Sequence, residues 1–205
     1  MPLPASGAIS INNINTEFAL GQNLNSYRGQ LYGTTSGTAG VFSSGTINLS
    51  DFYSKQKVVA GGPTSLSAGS YTVPIYRTIT FTVTGGSGGG TGANGFYNGG
   101  PFSGVQTGGS GGSAGGPSSV GSYVSGAGGG GGASGTTASV TLTNPALGGT
   151  GPASGSPVTV TIGVGGAGGS GGTLWVWNGA VYVNTGNAAS GANGSAGSAS
   201  VTWTA

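Results

Sequence analysis

Glycine fills 50 of the 205 positions, and its bunching limits what this chain can fold into more than any other feature. Between residues 85 and 135, 24 of 51 residues are glycine, so most of that stretch has no side chain to bury. Fixing it costs on the order of 50 to 100 kcal/mol at ~1 to 2 kcal/mol per residue, with glycine at the expensive end. Side-chain burial cannot offset such a sum. Two outcomes remain. The stretch stays mobile, or its backbone pairs with adjacent extended glycine segments, which can approach closely because they lack side chains, and buried N–H and C=O groups must find partners. Glycine does not recur strictly at every third position, which excludes collagen. Phe96, Tyr97, Phe102, Val105, Val120, Tyr123 and Val124 interrupt the run as anchors do in a folded loop, so partial order is expected.

Composition changes near Lys57. The first 57 residues hold 7 of the glycines and five of the six charges, Glu17, Arg28, Asp51, Lys55 and Lys57, leaving only Arg77 beyond. This places a boundary at about residues 55 to 62, with Ala60-Gly61-Gly62-Pro63 as a linker between a module at 1–57 and a glycine-rich domain at 58–205. In the module, Ser10 precedes Ile11, Ile14 and Phe18 at helical spacing, with Ser10 as N-cap and Gly21 as stop. Asn25 is expected to cap a turn ending at Gly29, and Ser50 a second one over residues 51–55. Helices this short are unstable alone in water. Ile9, Ile14, Phe18, Tyr27, Leu31, Phe42, Ile47, Leu49 and Phe52 must therefore meet each other or a neighbouring subunit, which suggests a docking module with Ile11, Ile14, Phe18, Tyr27, Phe52 and Tyr53 as its candidate residues.

Past Gly62 the pattern changes to strict alternation. Thr78 to Thr84 places Ile79, Phe81 and Val83 on one face and threonines on the other, the mark of a half-buried strand. Residues 139–143, 158–162 and 200–204 repeat it, each bounded by Gly, Pro or Asn. Asn178-Gly179 between Leu174–Trp177 and Ala180–Val183 predicts a two-residue hairpin turn, with Trp175 opposite Tyr182 and Val176 opposite Val181. The expected fold is mainly β: a small N-terminal module with short helices, then an antiparallel sandwich or sheet carrying extended, poly-glycine-like loops, the longest over 85–135.

The residues needed for most chemistries are missing. Without His or Cys, and with two carboxylates 34 positions apart, no nucleophile–base pair or metal-ligand set can be assembled. Glu17 and Asp51 are better explained by helix ends than as a glycosidase pair. No enzyme activity, cofactor or metal is expected. Matches to glycine-rich phosphate-loop patterns occur by chance at this composition. The sequons Asn48-Leu49-Ser50 and Asn193-Gly194-Ser195 carry no weight without a secretory route. A net charge of +2 gives no field able to attract nucleic acid. No run approaches 18 apolar residues and Met1 leads directly into Pro-Leu-Pro-Ala, so neither membrane insertion nor a signal peptide is expected.

The aromatics carry what recognition the sequence offers. Trp175, Trp177 and Tyr182 are suited to stacking on sugar rings, although alternation assigns Trp175 and Tyr182 to buried positions. Threonine rows suit an ice-binding surface but are also ordinary chemistry for the solvent face of a strand. Loops carry recognition while strands hold them, which points to Phe96, Tyr97, Phe102 and Tyr123, with Trp177, as receptor contacts.

The opening Leu3-Pro4-Ala5-Ser6-Gly7-Ala8-Ile9-Ser10, the helix to Phe18, and Ile47-Asn48-Leu49-Ser50-Asp51-Phe52-Tyr53 together resemble the N-terminal module of many tailed-bacteriophage tail proteins. The similarity covers about 57 residues. Those proteins often continue into a glycine-rich domain with a motif like Val158-Thr159-Val160-Thr161-Ile162-Gly163-Val164-Gly165-Gly166-Ala167-Gly168-Gly169, and the composition is also similar to glycine-rich adhesins at fibre tips. The resemblance implies a virion structural protein, a tail fibre or adhesin component made in the host cytoplasm without a signal peptide. Its implied partners are other tail or baseplate proteins, further copies of itself, with a trimer in a fibre, and a host-surface glycan or protein. The alternatives are a decoration or cement protein without a receptor, and a free ice-binding or cell-wall glycine-rich protein.

Overall fold

The computed structural model describes residues 2–205 and is mainly β, with several antiparallel sheets and few helices. Ser10 starts α1 (Ile11–Phe18) as expected: its Oγ accepts the Asn13 N–H at 3.2 Å, and its own N–H donates to Asn13 Oδ1 at 3.0 Å. The helix ends earlier than expected. Ala19 turns left-handed at φ 59° and donates to the Asn15 carbonyl, while the Asn15 side chain accepts the Gly21 N–H.

The two expected turns exist as 3-10 segments with different caps. Asn23, not Asn25, caps Leu24–Tyr27, and the second spans Leu49–Phe52, where the Asp51 carboxylate accepts the Asn48 N–H at 2.8 Å. In both, the cap lies two residues before the position that spacing alone gave it, Asn23 for Asn25 and Asn48 for Ser50. Strands β1 (Leu31–Thr34), β2 (Ala39–Val41) and β3 (Lys55–Gln56) form a small antiparallel sheet in the order β2-β1-β3. Leu3, Ile14, Phe18, Tyr27, Phe42, Ile47 and Phe52 are buried together, and the Phe18, Phe42 and Phe52 rings meet at 4.5 to 6.0 Å.

The expected linker is strand. Gly61–Ser65 is β4, an edge strand paired with the chain's last strand through Ser65↔Ser200 and Thr64↔Val201, and a Cβ on Gly61 would strike the Trp203 ring. Pro63 fits there because an edge strand has no ladder bond to lose on its open side. The chain then runs through β5 (Gly69–Thr72), β6 (Thr78–Thr84), β7 (Gly95–Asn98), β8 (Gln106–Thr107), β9 (Ser118–Val120) and β10 (Val124–Gly126), and on through β11 (Thr137–Thr143), β12 (Pro157–Thr161), β13 (Thr173–Trp177), β14 (Tyr182–Asn187) and β15 (Ser198–Trp203).

Sheets β11-β6-β15-β4 and β10-β9-β12-β5 share one core. Ile79, Phe81 and Val83 supply it from β6, as their alternation requires, and meet Val120, Val158, Val160 and Val201 with no residual exposure above 8%. Each such side chain contributes about 1.5 to 3 kcal/mol by leaving water. The threonines on the other face bond across the strands: Thr80 to Thr141 at 2.8 Å and Thr84 to Thr137 at 2.9 Å.

Glycine segments that adjoin these strands pair with one another. Gly86, Gly89 and Gly92 donate to Gly116, Ser113 and Ser110, while Ser87, Gly90 and Ala93 donate to Ser195, Ala192 and Ala189. Gly166, Gly169 and Gly172 in turn donate to Ser87, Gly90 and Ala93, all at 2.8 to 3.0 Å. Every row advances by three on both partners. That is the period of an extended helix of three residues per turn, which has no internal hydrogen bonds and must satisfy its backbone from outside.

The number of neighbours around a segment dictates how much of it is glycine. Segment 85–93 is surrounded, and a Cβ on Gly85, Gly86, Gly88, Gly89 or Gly92 would lie within 3.0 Å of a neighbour's carbonyl oxygen. Segment 163–172 has one open side, where Val164, Ala167 and Ser170 are exposed. Segment 188–197 is peripheral and needs glycine only at Gly191, Gly194 and Gly197. At the rise of such a helix, residues 85–93 carry the chain about 28 Å beyond β6.

Candidate functional site

At the far end of these segments the chain forms a four-stranded sheet in the order β14-β13-β7-β8, with β13 and β7 parallel. The hairpin between β13 and β14 is wider than the Asn-Gly dipeptide predicted. The Asn178 side chain accepts the N–H groups of Ala180 (3.1 Å) and Val181 (2.9 Å), and Asn178 N–H donates to the Val181 carbonyl. The loop thus takes residues 178–181. Trp177, not Trp175, stands opposite Tyr182, and Val176 opposite Val183.

This register gathers the aromatics on one face. Tyr97 stacks on Trp175 at 5.9 Å with 10° between planes and meets Tyr182 edge-on at 4.8 Å. Trp177 meets Tyr182 at 5.1 Å, and Phe102 reaches over from the β7–β8 loop to both tyrosines, at 5.8 and 6.2 Å. The Tyr182 hydroxyl fastens that loop: it donates to the Gly99 carbonyl at 2.7 Å and accepts the Phe102 N–H at 2.6 Å. Trp175, Trp177, Tyr97 and Tyr182 are half-buried, whereas Phe102 is 58% exposed. No Asp, Glu, Lys or Arg occurs after Arg77, so the whole end presents rings, methyl groups and amides without charge.

The structure brings Phe96, Tyr97, Phe102 and Trp177 to this one end, on two faces of the sheet. Tyr123 is not with them. It closes the short β9–β10 connection, half-buried, and its ring lies against Phe81 at 6.4 Å, because that turn folds back over the shared core. Ile14, Phe18, Tyr27 and Phe52 are buried against one another, and Ile11 packs beside them half-buried. The Tyr53 hydroxyl donates to the Gly7 carbonyl. Four of the six are thus buried within the N-terminal residues, while Ile11 and Tyr53 remain half-buried. The alternation that assigned Trp175 and Tyr182 to a core concealed their membership of the end cluster. The signal for it was their place in the hairpin next to a glycine segment.

A cleft of about 520 Å³ near the N-terminal sheet is lined by Tyr32, Ser43, Asn48, Asp51, Tyr53 and Lys55, with Lys55 Nζ 4.5 Å from the Tyr32 ring centre. Its carboxylate is engaged by the Asn48 N–H, and Glu17 Oε1 accepts the Lys57 N–H at 2.9 Å. The two acids thus hold backbone in place, and they lie on different elements. Among the described residues no three His, Cys, Asp or Glu side chains cluster, and no helix is long and apolar enough to cross a membrane.

No family model, curated protein or solved structure matches this chain.

Proposed function

We propose that the chain is a structural protein of a bacteriophage tail, a fibre or adhesin component that contacts the host surface. In this reading residues 1–57 form the attachment module, and residues 58–205 form a β-sandwich whose glycine segments carry a recognition sheet outward. The observation that carries it is the uncharged aromatic and aliphatic end held about 28 Å from the sandwich by segments that bury almost no side chains. An exposed apolar patch rimmed by polar groups marks an interaction site. The resemblance of the first 57 residues to tail attachment modules supports the location. Partners on the particle are tail or baseplate proteins and further copies of the chain.

Pairing of the threonine hydroxyls across the ladder speaks for an ordinary strand face over an ice-binding one. Antibodies against residues 95–105 should label the distal tail of intact particles by electron microscopy, and purified chain should compete with particles for host cells. A chain lacking residues 1–57 should fail to join particles. Label confined elsewhere, or particles that adsorb equally well without the chain, would leave a decoration protein.

A further inference from the structure

The sheet at the end of the glycine segments has a second face, turned away from the ring cluster. Side chains alternate along β7, so Phe96 and Asn98 lie opposite Tyr97. The registers Phe96↔Gln106, Asn98↔Val176 and Val176↔Val183 place Gln106, Val176 and Val183 on the same side. Phe96 is 48% exposed, Val183 45% and Val176 39%, so this face has no cover comparable to the loop that Phe102 folds over the other. Gln106 is steadied by Asn94, whose Nδ2 donates to Gln106 Oε1 at 3.1 Å, and the Gln106 amide nitrogen donates to none of the described residues.

We infer that this face, with Phe96 as its one aromatic ring, binds an uncharged carbohydrate. The inference rests on the host-contact reading above and names its ligand class. Charge decides among partners. An anionic polymer would find no cation anywhere between residues 78 and 205 to compensate its lost hydration. A neutral sugar needs none: its C–H face packs on an exposed ring, and its hydroxyls pair with amides that both donate and accept. Phe96 lies one two-residue step along β7 from Asn98, the partner of Val176, so Phe96, Val176 and Val183 form an oblique strip across β7, β13 and β14, about 12 Å from two strand spacings and that step. That suits two linked hexose rings. A second copy of the chain is a poorer occupant, because three exposed side chains fall well short of the roughly 800 Å² per partner of a stable interface.

The test is retention of the full chain on immobilised neutral bacterial polysaccharides, compared with anionic ones and with solubilised envelope proteins. Retention is expected on at least one neutral polysaccharide, unchanged between low and physiological salt. Phe96→Thr, Val183→Thr and Gln106→Ala should each weaken it, with Phe96→Thr losing about tenfold while the thermal midpoint holds. If a threonine variant lowers the midpoint, release of the unaltered chain by the soluble oligosaccharide answers instead: release supports the sugar face and no release overturns it. Retention only on anionic polysaccharide or only on protein, no retention at all, or neutral retention indifferent to Phe96→Thr and Val183→Thr also overturns it. Retention on envelope protein alone would remove the sugar face and leave the host-contact reading standing. Absence of the chain from particle surfaces would remove that reading whatever the polysaccharides show.

Discussion

Gly88 donates its N–H to the Ala133 carbonyl at 2.9 Å and sits so near Gly130 that a Cβ on Gly88 would fall inside 3.0 Å of the Gly130 backbone. The approach is possible only because Gly88 has no side chain; a Cβ on Gly130 would point into open space, with nothing within 4 Å. Gly88→Ala must push two backbones apart and should destabilise by about 3 kcal/mol, the upper range for overpacking. Gly111 is the control, since a Cβ there meets nothing within 4 Å. Gly111→Ala should be neutral or stabilise by up to about 1 kcal/mol through the unfolded chain. Denaturant midpoints of the two variants, measured side by side, check both signs, and equal losses would discredit the close-packed arrangement.

Tyr182→Phe keeps the ring contacts and removes the hydroxyl that accepts from Phe102 and donates to Gly99. Two hydrogen bonds near the surface are worth roughly 1 to 2 kcal/mol together. The loss should be local. Amide exchange at Phe102 should accelerate in the variant while exchange at Phe81 in the shared core stays as it was; uniform acceleration would mean that the loop and the core unfold as one.

Asn144 is a buried polar hub with 2% exposure. Its Nδ2 donates to the Tyr76 carbonyl and to Ser154 Oγ, both at 2.9 Å, and its Oδ1 accepts the Ala146 N–H at 2.9 Å. Asn144→Ala strands two buried partners, the Tyr76 carbonyl and the Ser154 hydroxyl, while Ala146 lies at the surface, where water can replace the lost bond. It should cost about 3 kcal/mol, and the thermal midpoint should fall accordingly.

Burial, with the neighbouring Tyr123 adding to it, pushes the Tyr76 phenol up from 10.0 to about 12. The neutral hydroxyl donates to the Pro152 carbonyl at 2.6 Å, a bond the phenolate cannot make. Because the folded value lies above the unfolded one, this contribution is fully present below pH 10 and is lost as pH rises towards 12. Unfolding free energies measured from pH 8 to 12 should be flat and then fall. Tyr76→Phe should flatten the decline over that upper range.

The Ser10 cap and the inward face of β6 were legible because each depends on residues within four positions: a side-chain oxygen near a free N–H, and a period of two. The glycine runs were legible only as two alternatives, a mobile chain or closely paired backbones, and not as an arrangement. Which segment meets Gly88 or Gly166 is decided by partners tens of residues distant, and glycine has no side chain to encode a choice. The same limit explains the hairpin. Asn178-Gly179 announced a turn, but the Asn178 side chain took up two backbone N–H groups, widened the loop and moved Tyr182 from Trp175 to Trp177. Tyr123 and Phe96 look alike in sequence, as rings between glycines, yet one closes over Phe81 and the other faces solvent. By itself the sequence determined a mainly β chain without charge beyond Arg77, with alternating strands and the Ser10 cap. Only the tertiary structure decided which glycine segments pair and which rings share an end, because those depend on non-local registers that backbone hydrogen bonding permits in many combinations and side-chain packing at the two ends selects.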